Sequence, residues 1–262
     1  MYPRILQIYG PLWINSYGLM ITIGLGLFLY LTYNNPKRKQ ILPTDIFFNM
    51  IFIALIAGIV GGRIFFLFSE WHYFSQNPLE IFFPWIGGFA ILGTIIGITI
   101  TISIYLKLKN IKILPTLDLI SLYAPLLQSI SRIGCFLAGC CYGIPAKNLL
   151  WSITFIHPES LAPINIQLHP TQLYFSAASF IIFIILYAKE KLLSNKDGQL
   201  TFLYLILESI SRFMLDFWRG DRDYIDKIKL LNNFSYTQLL ALGIFILASI
   251  GYIITLNKKS KF

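Results

Sequence analysis

Long apolar segments recur along this chain and are separated by shorter polar ones. A helix needs about 20 apolar residues to cross a bilayer. Runs near that length occupy residues 12–33, 46–68, 87–106, 117–138, 173–188, 200–218 and 236–256. The pattern predicts an all-α polytopic membrane protein with seven transmembrane helices.

Basic residues are concentrated in alternate loops. With seven spans, twelve of them fall on one side: Lys37, Arg38, Lys39, Lys107, Lys109, Lys112, Lys189, Lys191, Lys196, Lys258, Lys259 and Lys261. Loops rich in Lys and Arg remain in the cytoplasm. We therefore expect the N-terminus outside and the C-terminus in the cytoplasm.

The composition agrees with a membrane protein, since 56% of the residues are hydrophobic and 13% are charged. The net charge of +9 comes mainly from the basic loops. Anionic lipid beside those loops accounts for this charge, and no nucleic acid partner is expected.

No repeat or linker divides the chain, so residues 1–262 are assigned to a single membrane domain. The irregular segment 142–170 contains four prolines and predicts a small extracytoplasmic cap. Within it, residues 151–156 alternate in polarity as a strand does.

Three arginines lie within or at the ends of apolar runs, namely Arg63, Arg132 and Arg212. Arginine at lipid depth is costly unless it meets an anion or faces the bundle interior. Arg132 opens a segment, residues 132–143, that holds Gly134, Gly139, Gly143 and all three cysteines. Its glycines serve either close helix packing or the approach of backbone N–H groups to a phosphate.

The sixth run carries Glu208, Arg212, Asp216 and Arg219 at positions i, i+4, i+8 and i+11. On one helix these four side chains form a single stripe, which must avoid lipid. The stripe forms either an internal ladder, with Arg212 paired to Glu208 and Asp216, or an anion pocket. In the pocket, Arg132 and Arg212 would approach one phosphate.

Six segments in register carry a resemblance to a known family. They are residues 16–20 (Ser-Tyr-Gly-Leu-Met), 61–63 (Gly-Gly-Arg), 87–88 (Gly-Gly), 132–143, 169–174 (His-Pro-Thr-Gln-Leu-Tyr) and 212–219. The chain resembles the prolipoprotein diacylglyceryl transferase family of the bacterial cytoplasmic (inner) membrane. The resemblance implies transfer of the diacylglyceryl group from phosphatidylglycerol, a membrane lipid, to the lipobox cysteine of a prolipoprotein signal peptide. This is the first step of bacterial lipoprotein maturation, and it needs no cofactor.

The resemblance also assigns roles to residues. Arg132 and Arg212 match the family's essential arginines, and Tyr17, Gly143 and Arg219 match further motif positions. The predicted catalytic residues are Arg132, Arg212, Glu208 and Tyr17. The predicted substrate-binding residues are Arg132, Gly134, Gly143, Asp216, Arg219 and His169.

Several positions depart from the family pattern. Leu92 stands where the family has the histidine usually considered as a base, and Phe175 stands where it has a glutamate. Glu208 replaces a tyrosine one helical turn before Arg212. Because the reaction needs a proton acceptor, we predict Glu208 as the base, with Asp216 as the second candidate.

The cysteines leave other interpretations open. Cys135 and Cys140 could form a disulfide on the oxidising side of the membrane. A thiol of Cys140 or Cys141 near Arg132 could instead be redox-active. No metal is expected, because the C-x4-C-C spacing lacks neighbouring histidines. The alternative function is therefore a non-catalytic or thiol-redox paralogue that binds an anionic lipid or a lipopeptide.

Overall fold

The computed structural model describes residues 2–9, 12–82, 88, 90–147, 149–193, 196–222 and 234–257. The helices in this part are α1 (Ser16–Asn34), α2 (Pro36–Ile41), α3 (Thr44–Ser69), α4 (Trp71–Gln76), α5 (Ile91–Leu108), α6 (Ile113–Ala138), α7 (Thr171–Leu193), α8 (Gln199–Leu215) and α9 (Tyr236–Asn257). Two short antiparallel pairs join β1 (Arg4–Tyr9) to β2 (Leu12–Asn15) and β3 (Ile153–Thr154) to β4 (Gln167–Leu168). Single 3-10 turns occupy Pro78–Phe82 and Asp216–Trp218.

Among the described residues, six helices are long and apolar enough to cross a membrane, namely α1, α3, α5, α6, α7 and α9. The helix α8 takes the place of the remaining predicted span. It has 17 residues, includes Glu208 and Arg212, and packs against α7 and α9. The prediction of a nearly all-α, multi-pass membrane protein is confirmed.

Two predicted spans begin before the corresponding helices of the structure. The first apolar run was expected to be helical from residue 12, but residues 12–15 form β2 and the helix begins at Ser16. The fully buried Ser16 donates a hydrogen bond from its hydroxyl to the Pro3 carbonyl at 3.1 Å, which joins the helix start to the preceding hairpin. In the third run, α5 begins at Ile91, and residue 87 lies outside the described residues.

The chain forms two compact units, residues 1–34 with 117–262 and residues 35–116. In the second unit, α3 and α5 pack through glycines. A Cβ added at Gly61 would lie 2.6 Å from the Gly93 carbonyl oxygen, and one added at Gly97 would lie 2.7 Å from that of Ala57. Only glycine allows this approach of the two backbones, as the sequence predicted for these positions.

Arg63, one of the three arginines within apolar runs, is accounted for inside the second unit. Its guanidinium carbon lies 5.6 Å from the ring centroid of Phe74 and 5.9 Å from that of Phe66. Its Nη2 also donates to the Glu80 carbonyl at 3.4 Å. Aromatic faces and a carbonyl therefore surround this cation.

The first unit has a hydrophobic core between α6, α7 and α8, built on the buried side chains of Leu122, Tyr123, Ile182, Leu186 and Leu200. A carboxylate fixes the start of α8 beside this core. Asp118 of α6 accepts hydrogen bonds from the backbone N–H groups of Gly198 and Thr201 at 2.6 and 2.8 Å. Because Gly198 has no side chain to cap the helix, Asp118 satisfies these N–H groups instead.

The segment 142–170 has a small core of its own around Phe155, Ala162 and Leu168, which are at most 3% exposed. The strand expected within residues 151–156 is present as β3, which covers two of those residues. The position of this segment outside the cytoplasm stays a prediction.

Candidate active site

The first turn of α1 lies against the last turns of α6. A Cβ added at Gly134 would lie 3.0 Å from the Met20 Cβ and 3.2 Å from the Tyr17 Cα. A larger residue at Gly134 would force the helices apart. The glycine therefore allows Tyr17 to lie beside the Arg132 to Gly143 segment.

Two arginines from different helices face the same aromatic ring. The guanidinium carbons of Arg132 on α6 and Arg212 on α8 lie 4.7 and 5.1 Å from the ring centroid of Phe175 on α7. Phe175 is only 2% exposed. Neither guanidinium has a hydrogen bond or an ion pair to another described residue. The site thus holds two like charges together, and no carboxylate among the described residues pairs directly with either of them.

Glu208 faces both guanidinium groups but is hydrogen-bonded to an amide. Its Oε1 accepts from Gln128 Nε2 at 3.3 Å, and Gln128 Oε1 accepts from the Tyr204 hydroxyl at 3.1 Å. The buried Oε2 of Glu208 has no hydrogen-bond partner among the described residues. Electrostatic interactions still reach Glu208 from Arg132 and Arg212. The ion pairs of Arg212 with Glu208 and Asp216, which the ladder alternative requires, are not found among the described residues.

The stripe predicted on one helix is interrupted. The helix α8 ends at Leu215, and Asp216–Trp218 continues as a 3-10 turn. Arg219 then has extended backbone angles. The prediction of a shared helical face holds for Glu208 and Arg212 and was wrong for Arg219, because the helix stops before it.

Asp216 is completely buried in a polar network. Its Oδ2 accepts from the Ser235 hydroxyl at 2.5 Å, and its Oδ1 accepts from Thr237 Oγ1 at 2.9 Å. Arg219 Nη1 lies 3.5 Å from Oδ1, and Arg222 Nε lies 3.4 Å from Oδ2. Both carboxylate oxygens are thus occupied by protein groups.

Arg219 also pairs with Asp221, whose Oδ1 accepts from Nε at 3.0 Å. Burial acts to lower the pKa of Arg219, but the hydrogen bond and charge of Asp221 outweigh it. The pKa of Arg219 therefore lies above its ordinary value. The guanidinium stays charged at every pH of interest.

Gly143 lies between two chain segments that carry predicted substrate contacts. It forms a backbone bridge with Arg219. On its other side, a Cβ at position 143 would clash with the carbonyl oxygen of His169. The His169 Nδ1 lies 3.2 Å from the Tyr174 hydroxyl, which also accepts from Trp151 Nε1 at 2.8 Å. Gly143, His169 and Arg219 are thus brought together.

The turn after α6 places Cys140 and Cys141 beside Cys135, near the end of the helix. Gly139 and Cys141 have left-handed backbone angles, with φ of 83° and 55°. The three thiols of Cys135, Cys140 and Cys141 are free, and their sulfurs all lie within 4.8 Å of one another. The disulfide considered as one possibility between Cys135 and Cys140 is therefore not formed in this structure.

Sequence reasoning missed the side chains that hold this turn. Thr171 Oγ1 donates to the Cys141 carbonyl at 2.7 Å, and Gln172 Nε2 donates to the Cys140 carbonyl at 2.8 Å. Both lie in the first turn of α7 and are completely buried. The signal in the sequence was that Thr171 and Gln172 are polar and directly precede an apolar run. Gln128 offered a similar signal in the middle of an apolar helix.

Comparison with known proteins identifies the family. A sequence model described as prolipoprotein diacylglyceryl transferase matches residues 3–254. The chain is 36% identical over 249 residues to the phosphatidylglycerol–prolipoprotein diacylglyceryl transferase of Clostridium tetani, covering 94% of this chain and 96% of that protein. It is 33% identical over 247 residues to the protein of the same name from Clostridioides difficile, covering 94% and 92%. With a match over almost its whole length, this chain belongs to the prolipoprotein diacylglyceryl transferase family.

Proposed function

We propose that this protein transfers the diacylglyceryl group from phosphatidylglycerol to the cysteine thiol of a prolipoprotein. The observation that carries the assignment of its site is the placement of Arg132 and Arg212 over Phe175. Two guanidinium groups that form no direct ion pair with a described residue can bind a phosphodiester. Their planar, forked N–H groups suit its oxygens.

The reaction requires charge stabilisation at the phosphate. The thiolate sulfur attacks the carbon of the diacylglycerol unit that is bonded to the phosphate ester oxygen. A C–S bond forms and the C–O bond between that carbon and the phosphate oxygen breaks. The electron pair of the broken bond leaves with glycerol phosphate, whose negative charge increases. Arg132 and Arg212 stabilise this growing charge more strongly than the charge of the bound lipid.

Glu208 takes the proton of the acceptor thiol. Gln128 fixes Oε1, whereas Oε2 has no partner among the described residues and can accept the proton. Burial of Glu208 opposes its negative charge, and the nearby positive charges of Arg132 and Arg212 favour the ionised form that can accept a proton. This assignment replaces the family's histidine, since Leu92 at that position is apolar.

The remaining predicted residues surround this centre. Tyr17 lies next to Gly134 and is near enough to Arg132 for an electrostatic interaction, so its hydroxyl can orient the lipid headgroup. Gly143, His169 and Arg219 form a second polar cluster that contacts the glycerol part of the headgroup. Asp216 acts on substrate through Arg219, because protein groups already occupy its carboxylate.

The protein acts in the bacterial cytoplasmic membrane, with its N-terminus outside. The alternating basic loops support this orientation. The site includes the starts of α1 and α7 and the ends of α6 and α8, as alternating spans require. In this orientation the site opens toward the extracytoplasmic leaflet, where a signal peptide arrives.

The alternative of a non-catalytic or thiol-redox paralogue has less support, because the relatives are named as transferases. The decisive experiment measures transfer of labelled diacylglycerol from phosphatidylglycerol to a lipobox peptide by the purified protein. Arg132→Ala and Arg212→Ala should each reduce transfer at least ~100-fold, the loss typical of a removed charge-stabilising donor. Arg4→Ala is the control, because Arg4 forms an exposed pair with Glu159. Binding of phosphatidylglycerol without transfer, by a folded protein, would favour the paralogue.

A further inference from the structure

The three cysteines of this chain form one cluster. Cys135 lies in the last turn of α6, which ends at Ala138, and Cys140 and Cys141 lie in the turn that follows. The three sulfurs lie within 4.8 Å of one another. The chain contains no other cysteine. The cluster therefore concentrates every thiol of the protein at one point.

The backbone around the cluster is arranged for this convergence. Cys141 has a φ of 55°, a left-handed conformation that residues with a side chain rarely adopt. Gly139 has a φ of 83°, and a Cβ there would clash with Ser160 Oγ. Two left-handed residues within three positions reverse the chain and bring Cys140 and Cys141 back to Cys135.

Buried side chains hold the turn in this shape. The hydroxyl of Thr171 and the amide of Gln172 bind the carbonyls of Cys141 and Cys140, and both residues are 0% exposed. The Oε1 of Gln172 has no partner among the described residues. The thiol cluster is thus supported by a fixed second layer, as metal ligands commonly are.

We propose that Cys135, Cys140 and Cys141 form a binding site for a thiophilic cation such as Zn²⁺, with three thiolate ligands. Zn–S bonds of about 2.3 Å place the sulfurs of one site roughly 4 Å apart. The observed cluster meets this requirement with small side-chain adjustments. A fourth position, as in zinc sites with three protein ligands, stays open to water or to another ligand.

The charges near the cluster favour this occupant. Three thiolates and a divalent cation carry a net charge of −1. Arg132 and Arg219 interact electrostatically with Cys141 and offset that charge. A thiol-rich ligand set selects Zn²⁺ or Cu⁺ over Mg²⁺ or Ca²⁺, which prefer oxygen ligands.

Cobalt titration of the full-length protein in detergent tests the site. The protein is reduced, kept under anaerobic conditions and titrated with Co²⁺, whose thiolate charge-transfer absorption increases with the number of bound sulfurs. We expect the absorption of three thiolates, displaced by added Zn²⁺. Each of the variants Cys135→Ser, Cys140→Ser and Cys141→Ser should lower this absorption. Each should also weaken Co²⁺ affinity by more than ~100-fold, because the loss of a ligand costs more than the loss of a residue that only orients a ligand. His72→Gln, at an exposed histidine, should leave both the absorption and the affinity unchanged.

Thiol counting gives a second readout that requires no cobalt. A thiol-reactive chromogenic reagent should titrate three thiols in the metal-free protein and none after Zn²⁺ addition. Absorption unaffected by the serine variants, or thiols that react equally with and without Zn²⁺, would overturn the proposal. Neither measurement uses lipid or peptide, so a metal-binding protein without transferase activity would contradict only the proposed function.

Discussion

The guanidinium of Arg212 on α8 lies over the ring of Phe175 on α7, with 5.1 Å between the guanidinium carbon and the ring centroid. The family resemblance places a glutamate at position 175. A carboxylate there would neutralise an arginine, whereas an aromatic face attracts the cation and leaves its charge available. The substitution therefore suits a site in which Arg132 and Arg212 must both bind one phosphate.

Phe175→Leu should weaken lipid binding. The change removes the aromatic face from both arginines, and each contact contributes about 0.5 to 2 kcal/mol. We expect the KM for phosphatidylglycerol to rise by about 2- to 30-fold for each arginine–ring contact that holds its guanidinium in place for the lipid. Steady-state transfer at varied lipid concentration measures the effect.

Phe183→Leu is the matched control for this change. Phe183 lies on the same helix, and its ring contacts that of Tyr123. The control should retain the wild-type KM. An equal rise in KM for both variants would mean that helix packing, and not the arginine contact, is responsible.

Glu208→Gln should reduce kcat without weakening lipid binding. The amide keeps the shape of the side chain but cannot accept the thiol proton, and loss of a general base typically costs about 100- to 10,000-fold. The acidic limb of the pH–rate profile should also disappear, since protonation of Glu208 would no longer limit the rate. Pre-steady-state transfer across pH checks both effects.

The control for this base is Glu159→Gln, because Glu159 is 41% exposed and pairs with Arg4. It should retain the wild-type pH profile. If Glu208→Gln also retained it, another group would accept the proton.

Gly143→Ala should abolish transfer through geometry alone. The added Cβ would clash with the His169 carbonyl and so displace either His169 or the bridge to Arg219. Gly26→Ala is the control, because no atom lies within 4 Å of an added Cβ there. That variant should be as active as the wild type, and in a helix interior alanine is preferred over glycine. Full activity of Gly143→Ala would show that the bridge is dispensable.

The sequence predicted the helices well because their apolar runs have the length that a bilayer demands. One of the two alternatives weighed from the sequence, the anion pocket, placed Arg132 and Arg212 together, since buried charges must avoid lipid. It did not predict the end of α8 at Leu215, because Asp216 continues the helical spacing of charged residues. The hydrogen bonds of Asp216 to Ser235 and Thr237 connect positions 19 and 21 residues apart, which the local pattern does not show. The thiol cluster was equally hidden, since the left-handed conformation of Cys141 has no signature in its residue type.

Asp216→Ala should destabilise the fold. The side chain is 0% exposed and accepts from Ser235 and Thr237 while facing two arginines. Removal of one partner from a buried ion pair costs about 3 to 5 kcal/mol, because the other charge is left uncompensated. Asp221→Ala removes a more exposed partner of Arg219 and should cost about 0 to 1 kcal/mol.

Thermal unfolding in detergent, followed by circular dichroism, separates the two aspartate variants. The Asp216 variant should unfold at a clearly lower temperature, whereas the Asp221 variant should unfold close to the wild type. Transfer by the folded fraction of the Asp216 variant should also fall, because Arg219 loses its support. If stability fell while the activity per folded molecule stayed constant, Asp216 would hold the fold without positioning Arg219 for the lipid.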